Sequence, residues 1–104
     1  MFCNITTTTN KKQIVNKLSE ELLKNNYSPC IQVVTPVESQ YFWNGKVKST
    51  QEYKIDIKTL DALVDKVVLL IKSIHNYKVP EIIKTPITIK NKDYEEWIIE
   101  NTKR

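Results

Sequence analysis

The chain contains one glycine, Gly45, and it follows Asn44 between two runs of β-forming residues. Asn-Gly between such runs is the strongest short-range signal for a β-hairpin, because both turn residues must adopt positive φ angles. The runs extend from Cys30 to Lys58, so the sequence predicts one long hairpin in the middle of the chain. We expect a valine in place of Gly45 to be strongly destabilising.

The register of this hairpin leaves two alternatives. Pairing outward from a two-residue turn places Val34 opposite Ile55 and Gln32 opposite Ile57, so apolar side chains fall on both faces. Either a β-bulge near Pro36 shifts the register by one residue, or both faces are covered. Because a lone domain of 104 residues covers both faces of a sheet poorly, the second alternative indicates self-association.

A strand and an amphipathic helix precede the hairpin. Residues 2–8 are rich in β-branched types, which predicts a first strand. Asn10 is expected to cap the next helix, in which apolar residues recur at helical spacing. The Asn25-Asn26 pair ends that helix, because Asn tolerates left-handed dihedral angles.

Two helices and a short strand follow the hairpin. Thr59 is expected to cap a second helix that carries a wide apolar stripe. Residues 81–85 predict a further strand, which Pro86 restricts to a short or edge position. Residues 91–102 predict a third helix with Asn91 as its cap.

The element order is therefore β-α-β-β-α-β followed by a helix. This order predicts an α+β fold of the ferredoxin-like type, a split βαβ sandwich with a long β-hairpin and a C-terminal helix. The sequence shows no repeat, no low-complexity linker and no change of composition that would separate two units. We therefore expect a single domain that spans residues 1–104.

Charge and hydropathy exclude several classes of function. The 16 Lys and Arg exceed the 12 Asp and Glu, but the signs are interleaved and form no basic stripe, so we expect no nucleic-acid partner. The longest uncharged apolar run, Val67–Ile71, is too short to span a bilayer, so we expect no membrane partner. Residues 1–4 lack the pattern of a signal peptide, which favours a cytoplasmic location.

Few residues offer catalytic chemistry. The chain has no Gly-x-Ser-x-Gly motif and no glycine-rich phosphate loop. An acid–base pair of His75 with Glu81 or Glu52 would lack an evident nucleophile other than Cys30. We therefore expect a protein that is not an enzyme.

The single histidine, His75, follows the predicted second helix. Its imidazole is suited to metal ligation or pH sensing, with Glu81 close by in the sequence. The alternative is a structural histidine that bonds the last carbonyls of the helix. Cys30 offers a soft ligand or a small buried side chain. Trp43 lies beside the hairpin turn, either as an exposed patch or packed against a neighbouring subunit.

Several spaced motifs together resemble the CutA divalent-cation-tolerance family over most of the chain. They are Tyr41-Phe42-Trp43-Asn44-Gly45-Lys46, Glu52, Ile57-Lys58-Thr59, His75-x-Tyr77-x-x-Pro80-Glu81 and Asp93-Tyr94-x-x-Trp97-Ile98. The resemblance implies a PII-like homotrimer whose subunits pack through sheet edges and hairpins. It also implies a role in tolerance to copper and other divalent cations.

Two functions follow from that resemblance. The first is a trimeric, metal-responsive protein with a weak copper or zinc site, for which the candidate ligands are His75, Glu81 and Cys30. The second is a PII-like sensor or signalling module that binds a small ligand in a cleft between subunits. The residues expected to line that cleft are Trp43, Glu52, Lys58 and Tyr77, together with His75 and Glu81.

The chain departs from the family pattern at two positions. Asn76 follows His75 where the family usually has proline. Thr7 stands where some bacterial members have a cysteine that ligates copper, and Cys3 lies four residues earlier. The departure at Thr7 removes the best soft ligand from the expected metal site.

Overall fold

A computed structural model describes residues 1–103. The helices and strands are β1 (Phe2–Thr9), α1 (Lys12–Lys24), β2 (Cys30–Trp43), β3 (Lys46–Leu60), α2 (Val64–Ile74), β4 (Ile83–Ile87) and α3 (Lys92–Glu100). The four strands form one antiparallel sheet in the order β2-β3-β1-β4. This arrangement confirms the predicted α+β, ferredoxin-like fold.

The predicted hairpin turn is present between β2 and β3. Asn44 has φ 53° and Gly45 has φ 74°, so both residues of the turn adopt the left-handed conformation. Trp43 pairs with Lys46 across the turn. The two strands then remain paired far beyond the other strands, and they form an extended arm.

A bulge interrupts the hairpin where the first of the two alternatives placed it. The pairing of β2 with β3 shifts between Val34 and Val37, on either side of Pro36. Below the bulge Ile31 is opposite Ile57 and Val33 is opposite Ile55, so these four side chains share one face. Val34 is opposite Lys54 on the other face and is exposed. The shifted register thus confirms the predicted bulge, and the self-association expected from the second alternative stays a prediction.

The main core lies between the sheet and helices α1 and α2. Alternate residues of β1 and β3 point toward the two helices, and each helix packs one apolar stripe against them. Removing this surface from water is the main driving force for the fold. The fully buried members are Cys3, Ile5, Val15, Leu18, Leu22, Ile55, Ile57, Val67 and Ile71.

One predicted helix cap is confirmed and another is wrong. The side chain of Asn91 accepts a hydrogen bond from the backbone N–H of Asp93 at 3.0 Å, as expected of a cap. Helix α1 instead begins after Lys11 without a side-chain cap. Asn10 is not the cap because its side-chain oxygen accepts from the amide of Asn76.

The expected cap of the second helix is also wrong. Thr59 lies inside β3 opposite Cys3, and its hydroxyl donates to the carbonyl oxygen of Tyr27 at 2.6 Å. Sheet pairing continues to Leu60, and a short 3-10 turn, Asp61–Leu63, leads into α2. Pairing with β1 therefore outweighs the local preference of threonine for a cap.

The second face of the sheet is covered by helix only at one end. Helix α3 packs Ile98 against Phe2 and Leu60, which forms a second, smaller core. Strand β4 is an edge strand that contains Pro86, as predicted, but it begins at Ile83, so Glu81 lies in the preceding loop. Polar side chains, among them Asn4, Asp56 and Lys58, occupy the next part of this face.

Candidate functional site

A cavity of about 710 Å³ opens between the hairpin and the loop that follows α2. Strand β2 of the hairpin contributes the rings of Tyr41 and Trp43, and strand β3 contributes Glu52. The loop contributes Tyr77 and its neighbours. Four of the predicted site residues thus meet here. The cavity is lined by Thr8, Ser39, Gln40, Tyr41, Trp43, Lys48, Glu52, Asn76, Tyr77, Lys78, Val79 and Glu81.

Glu52 is the buried acid of this cavity. Its side chain is only 7% exposed, and its Oε2 accepts a hydrogen bond of 2.6 Å from the hydroxyl of Tyr77. Burial and the nearby carboxylate both raise the pKa of Tyr77. The phenol is therefore neutral and remains a donor at physiological pH. Within residues 1–103, no side chain donates a hydrogen bond to the second oxygen, Oε1.

Both ring nitrogens of His75 are engaged. Nε2 lies 2.8 Å from the carbonyl oxygen of Thr8, and Nδ1 accepts from the backbone N–H of Tyr77 at 2.9 Å. Because a carbonyl only accepts and a backbone N–H only donates, these partners assign the neutral tautomer with its proton on Nε2. Burial lowers the pKa of His75 and favours the same neutral form.

The imidazole of His75 thus connects the loop to strand β1 instead of bonding the last carbonyls of α2. The backbone N–H of His75 makes the helix-terminal contact, to the carbonyl of Ile71 at 2.9 Å. A metal ion at either ring nitrogen would have to replace one of the two hydrogen bonds. The single histidine therefore holds the loop in place in this structure.

The side-chain hydrogen bonds of Asn76 explain why asparagine is accommodated where the family usually has proline. Its Oδ1 accepts from the hydroxyl of Thr9 at 2.6 Å, and its Nδ2 donates to Oδ1 of Asn10 at 2.9 Å. The side chain thus attaches the cavity loop to the end of β1. In this chain two hydrogen bonds restrain the position at which a proline would restrict the backbone.

The aromatic wall of the cavity comes from one face of the hairpin. Tyr41 and Trp43 are two residues apart, so both rings lie on the face that also carries Glu52. The hydroxyl of Tyr41 lies 2.8 Å from that of Thr50. Sequence reasoning missed Tyr41 and Lys48, although the two-residue-turn register already places them opposite each other.

Lys58 lies in a different depression on the same face of the sheet. This second cavity, of about 410 Å³, also contains Lys54 and Asp56. The ammonium of Lys58 donates to the side-chain oxygen of Gln32. Burial opposes ionisation of Asp56, but hydrogen bonds from Asn4 and Thr6 outweigh it and lower the pKa of the carboxyl. Within one chain, Lys58 is therefore not grouped with Glu52 and Tyr77.

The three candidate metal ligands do not form a site in one chain. Glu81 is exposed at the cavity, whereas Cys30 packs beside the smaller core under α3. Burial, and after it the hydrogen bond with the thiol of Cys30, raises the pKa of Tyr94 to about 12. The described part of the chain contains no group of three His, Cys, Asp or Glu placed to hold a metal. Within one chain, His75, Glu81 and Cys30 therefore do not meet in one preformed copper or zinc centre.

The fold and this cavity define a class: a ferredoxin-like protein with a long hairpin that forms one wall of a cavity. The sequence profile of the CutA1 divalent ion tolerance protein matches residues 3–101. The chain therefore belongs to the CutA1 divalent ion tolerance family, as the motifs indicated. Within residues 1–103, no helix has the length and apolar character needed to cross a membrane.

Individual relatives agree with this assignment. The chain is 34% identical over 92 residues to the chloroplastic protein CutA 1 of Oryza sativa, covering 88% of this chain and 52% of that protein. It is 31% identical over 91 residues to the divalent-cation tolerance protein CutA of Thermus thermophilus, covering 88% of each. The chain thus spans about half of the plant relative and most of the bacterial one.

Solved structures agree as well. The structure of the Thermus thermophilus protein superposes with a TM-score of 0.93 at 29% identity and covers 99% of this chain and 100% of its own. The periplasmic divalent cation tolerance protein CutA from Archaeoglobus fulgidus gives a TM-score of 0.92 at 26% identity, with 97% and 98% covered. The similarity extends over the whole domain, including the long hairpin.

Proposed function

We propose that this protein is a non-enzymatic divalent-cation tolerance protein that acts in the cytoplasm as a homotrimer in the response to copper and other divalent cations. Membership in the CutA1 family supports the link to divalent cations. The observation that carries the trimer is the apolar surface of the hairpin arm, residues 37–52.

The hairpin arm exposes more apolar surface than a lone chain tolerates well. The molecule measures 46 × 26 × 21 Å. Phe42 and Val47 form a cross-strand pair near the tip, and they are 76% and 71% exposed. A two-stranded hairpin is marginally stable alone, and contiguous exposed apolar surface marks an interaction site. Covering by a second and a third copy of the chain fits both facts.

The metal part of the proposal concerns ions to which the protein responds. A single chain offers His75 with both nitrogens hydrogen-bonded, an exposed Glu81 and a distant Cys30. Direct binding of copper or zinc would need donors from more than one subunit, or water, to complete the coordination. We therefore expect the protein to bind copper or zinc weakly, and the proposal does not depend on a permanently bound metal ion.

A second candidate function is that of a PII-like sensor of a small ligand. The cavity beside Glu52 supports it, because its volume falls within the range of about 300–1,000 Å³ that is typical of small-molecule sites. Three aromatic rings provide apolar contact area, and the buried carboxylate provides a polar anchor. This function is compatible with the first, since a ligand site can report through a trimer.

Light scattering coupled to gel filtration tests the trimer. We expect a mass of three 12.2 kDa chains for the wild type, and a smaller mass for the double variant Phe42→Ser, Val47→Ser. Leu69→Ser is the matched control, because Leu69 is 71% exposed on α2, away from the arm. A monomeric wild type, or a double variant that keeps the wild-type mass, would contradict the proposal.

Growth in copper tests the cellular role. We expect expression of the wild type to raise the copper concentration that halves growth, and expression of the Phe42→Ser, Val47→Ser variant not to raise it. Titration calorimetry with Cu²⁺ and Zn²⁺ supplies the molecular comparison between the wild type and His75→Ala. Binding that His75→Ala leaves unchanged would exclude His75 as a ligand, and tight binding would contradict the proposal of a weak site.

A further inference from the structure

The cavity contains a carboxylate for which the described part of the chain, residues 1–103, provides no cationic partner. Glu52 is 7% exposed, and within the described part of the chain its one side-chain donor is the neutral hydroxyl of Tyr77, at Oε2. Among the described residues no ammonium forms an ion pair with it, although Lys48 and Lys78 also line the cavity. A buried carboxylate of this kind gains most from a positively charged donor that enters the cavity.

The walls around Glu52 are aromatic. Tyr41, Trp43 and Tyr77 all line the same cavity, and Trp43 remains 46% exposed. Aromatic faces attract organic cations, and the attraction grows when water is partly excluded. A carboxylate beside such rings is a typical recognition site for an ammonium group that is attached to an apolar body.

Building on the proposed ligand function of this cavity, we propose that it binds a small organic monoamine in its protonated form. The ammonium group donates to Oε1 of Glu52, and the apolar body of the amine lies against Tyr41 and Trp43. Tyr77 keeps the carboxylate in place by holding Oε2.

A divalent metal ion fits this position less well. Calcium and magnesium require about six or more oxygen ligands in a compact shell, whereas Glu52 offers one oxygen and Glu81 is exposed. The absence of a third acidic, thiol or imidazole donor within residues 1–103 agrees with this. An ammonium needs only one charged acceptor, because the rings contribute the remainder of the attraction.

The two lysines of the cavity refine the expected ligand. Lys48 and Lys78 would repel a second positive charge on the ligand, so a monoamine is favoured over a diamine of similar length. Any second polar group on the ligand is therefore expected to be neutral or negative. This selection distinguishes the cavity from a simple acidic surface.

Benzylamine, benzyl alcohol and benzoate form a probe series of similar size and different charge. The chain has two tryptophans, so a Trp97→Phe background leaves Trp43 as the only indole and its fluorescence as the signal. We expect saturable binding of benzylamine, and binding of the alcohol and of benzoate at least about tenfold weaker. Equal binding of the three, or no saturable binding of benzylamine, would overturn the proposal.

Variants identify the charged partner. We expect Glu52→Gln to weaken benzylamine binding by at least about tenfold. The control is Glu20→Gln, at an exposed position of α1 that does not line the cavity, and it should change binding less than about twofold. Tyr41→Leu, followed by calorimetry, tests the aromatic wall independently and is expected to weaken binding about threefold or more. Unchanged binding in folded Glu52→Gln or in Tyr41→Leu counts against the proposal.

Two further measurements separate other occupants of the cavity. Displacement of benzylamine by equimolar Zn²⁺ or Mg²⁺ would identify a metal site and overturn the proposal. Binding that occurs only in the Phe42→Ser, Val47→Ser variant would show that a second copy of the chain fills the cavity of the wild type. That result would also overturn the proposal. A trimer that binds no amine contradicts only this inference, whereas a monomer that binds benzylamine contradicts only the trimer.

Discussion

The hydroxyl of Tyr77 donates a 2.6 Å hydrogen bond to Oε2 of Glu52 and so joins the loop after α2 to strand β3. The two residues are 25 positions apart in the chain. The backbone N–H of Tyr77 donates to Nδ1 of His75, and Nε2 of His75 bonds to the carbonyl oxygen of Thr8 in strand β1. One side of the cavity thus depends on a continuous series of hydrogen bonds.

Tyr77→Phe removes the side-chain hydrogen bond that the buried carboxylate of Glu52 accepts. We expect a loss of about 1–2 kcal/mol in the free energy of unfolding, measured by urea denaturation, because a buried acceptor loses its donor. Tyr41→Phe is the matched control: its hydroxyl contacts Thr50 on an exposed part of the hairpin, and we expect less than about 0.5 kcal/mol. Equal losses in the two variants would contradict the importance of the contact with Glu52.

His75 makes stability depend on pH in a defined direction. Its pKa in the folded protein is lowered from 6.5, so the unfolded chain binds the proton more readily. The contribution of the neutral ring is therefore fully present above about pH 6.5 and is lost as the pH falls through the lower pKa of the folded state. We expect His75→Gln to lose about 1–2 kcal/mol at neutral pH, because two hydrogen bonds change.

The difference between the wild type and His75→Gln should shrink as the pH falls below about 6.5, as measured by melting temperature at a series of pH values. Asp56 provides the contrast. Its pKa in the folded protein is lowered from 3.8, so its contribution to stability is fully present above that value and is lost as the pH falls through the lower pKa of the folded state. A difference between wild type and His75→Gln that is constant from neutral to mildly acidic pH would contradict the lowered pKa of His75 in the folded protein.

Asn76 is expected to stabilise the loop that borders the cavity. Asn76→Ala removes hydrogen bonds to Thr9 and Asn10, and we expect a loss of about 1–2 kcal/mol together with faster amide exchange of Tyr77. Asn76→Pro should recover part of that loss, because the ψ angle of 142° at His75 suits a following proline and restricts the unfolded chain. A proline variant less stable than the alanine variant would contradict this account.

Gly45 tests the turn of the hairpin. A Cβ atom at this position would meet nothing within 4 Å, so the cost of Gly45→Val comes from the positive φ of 74° and not from a collision. We expect a loss of about 1–2 kcal/mol for valine, measured by urea denaturation, and a smaller loss for Gly45→Asn, since asparagine tolerates this conformation. An unchanged stability of the valine variant would contradict the turn conformation.

The prediction of the fold succeeded where local signals were strong. The Asn44-Gly45 turn, the helical apolar stripes and the cap at Asn91 are each encoded within a few residues, so they could be read without a structure. The caps assigned to Asn10 and Thr59 were wrong because both side chains bond to distant partners instead. A capping residue competes with tertiary contacts that short-range patterns do not contain.

The candidate site was predicted only in part. Trp43, Glu52, Tyr77 and Glu81 do line one cavity, but Lys58 lies in a separate depression and Cys30 packs beside the smaller core under α3. The binding of a small ligand by the cavity residues stays a prediction, and so does the binding of a metal by His75, Glu81 and Cys30. Alternation along β3 puts Glu52 and Lys58 on the same face, yet it does not say how far along that face a cavity extends.

By itself, the sequence determined the order of the elements and the turn at Gly45, because these depend on backbone preferences and on hydrophobic periodicity between near neighbours. Only the tertiary structure decided between a bulge and a two-faced hairpin, since the shift at Val34 and Val37 depends on which side chains the helices cover. It also decided that His75 bonds to Thr8 and that Tyr77 bonds to one carboxylate oxygen of Glu52. Those contacts join residues far apart in the chain, and their geometry arises only when the core has formed.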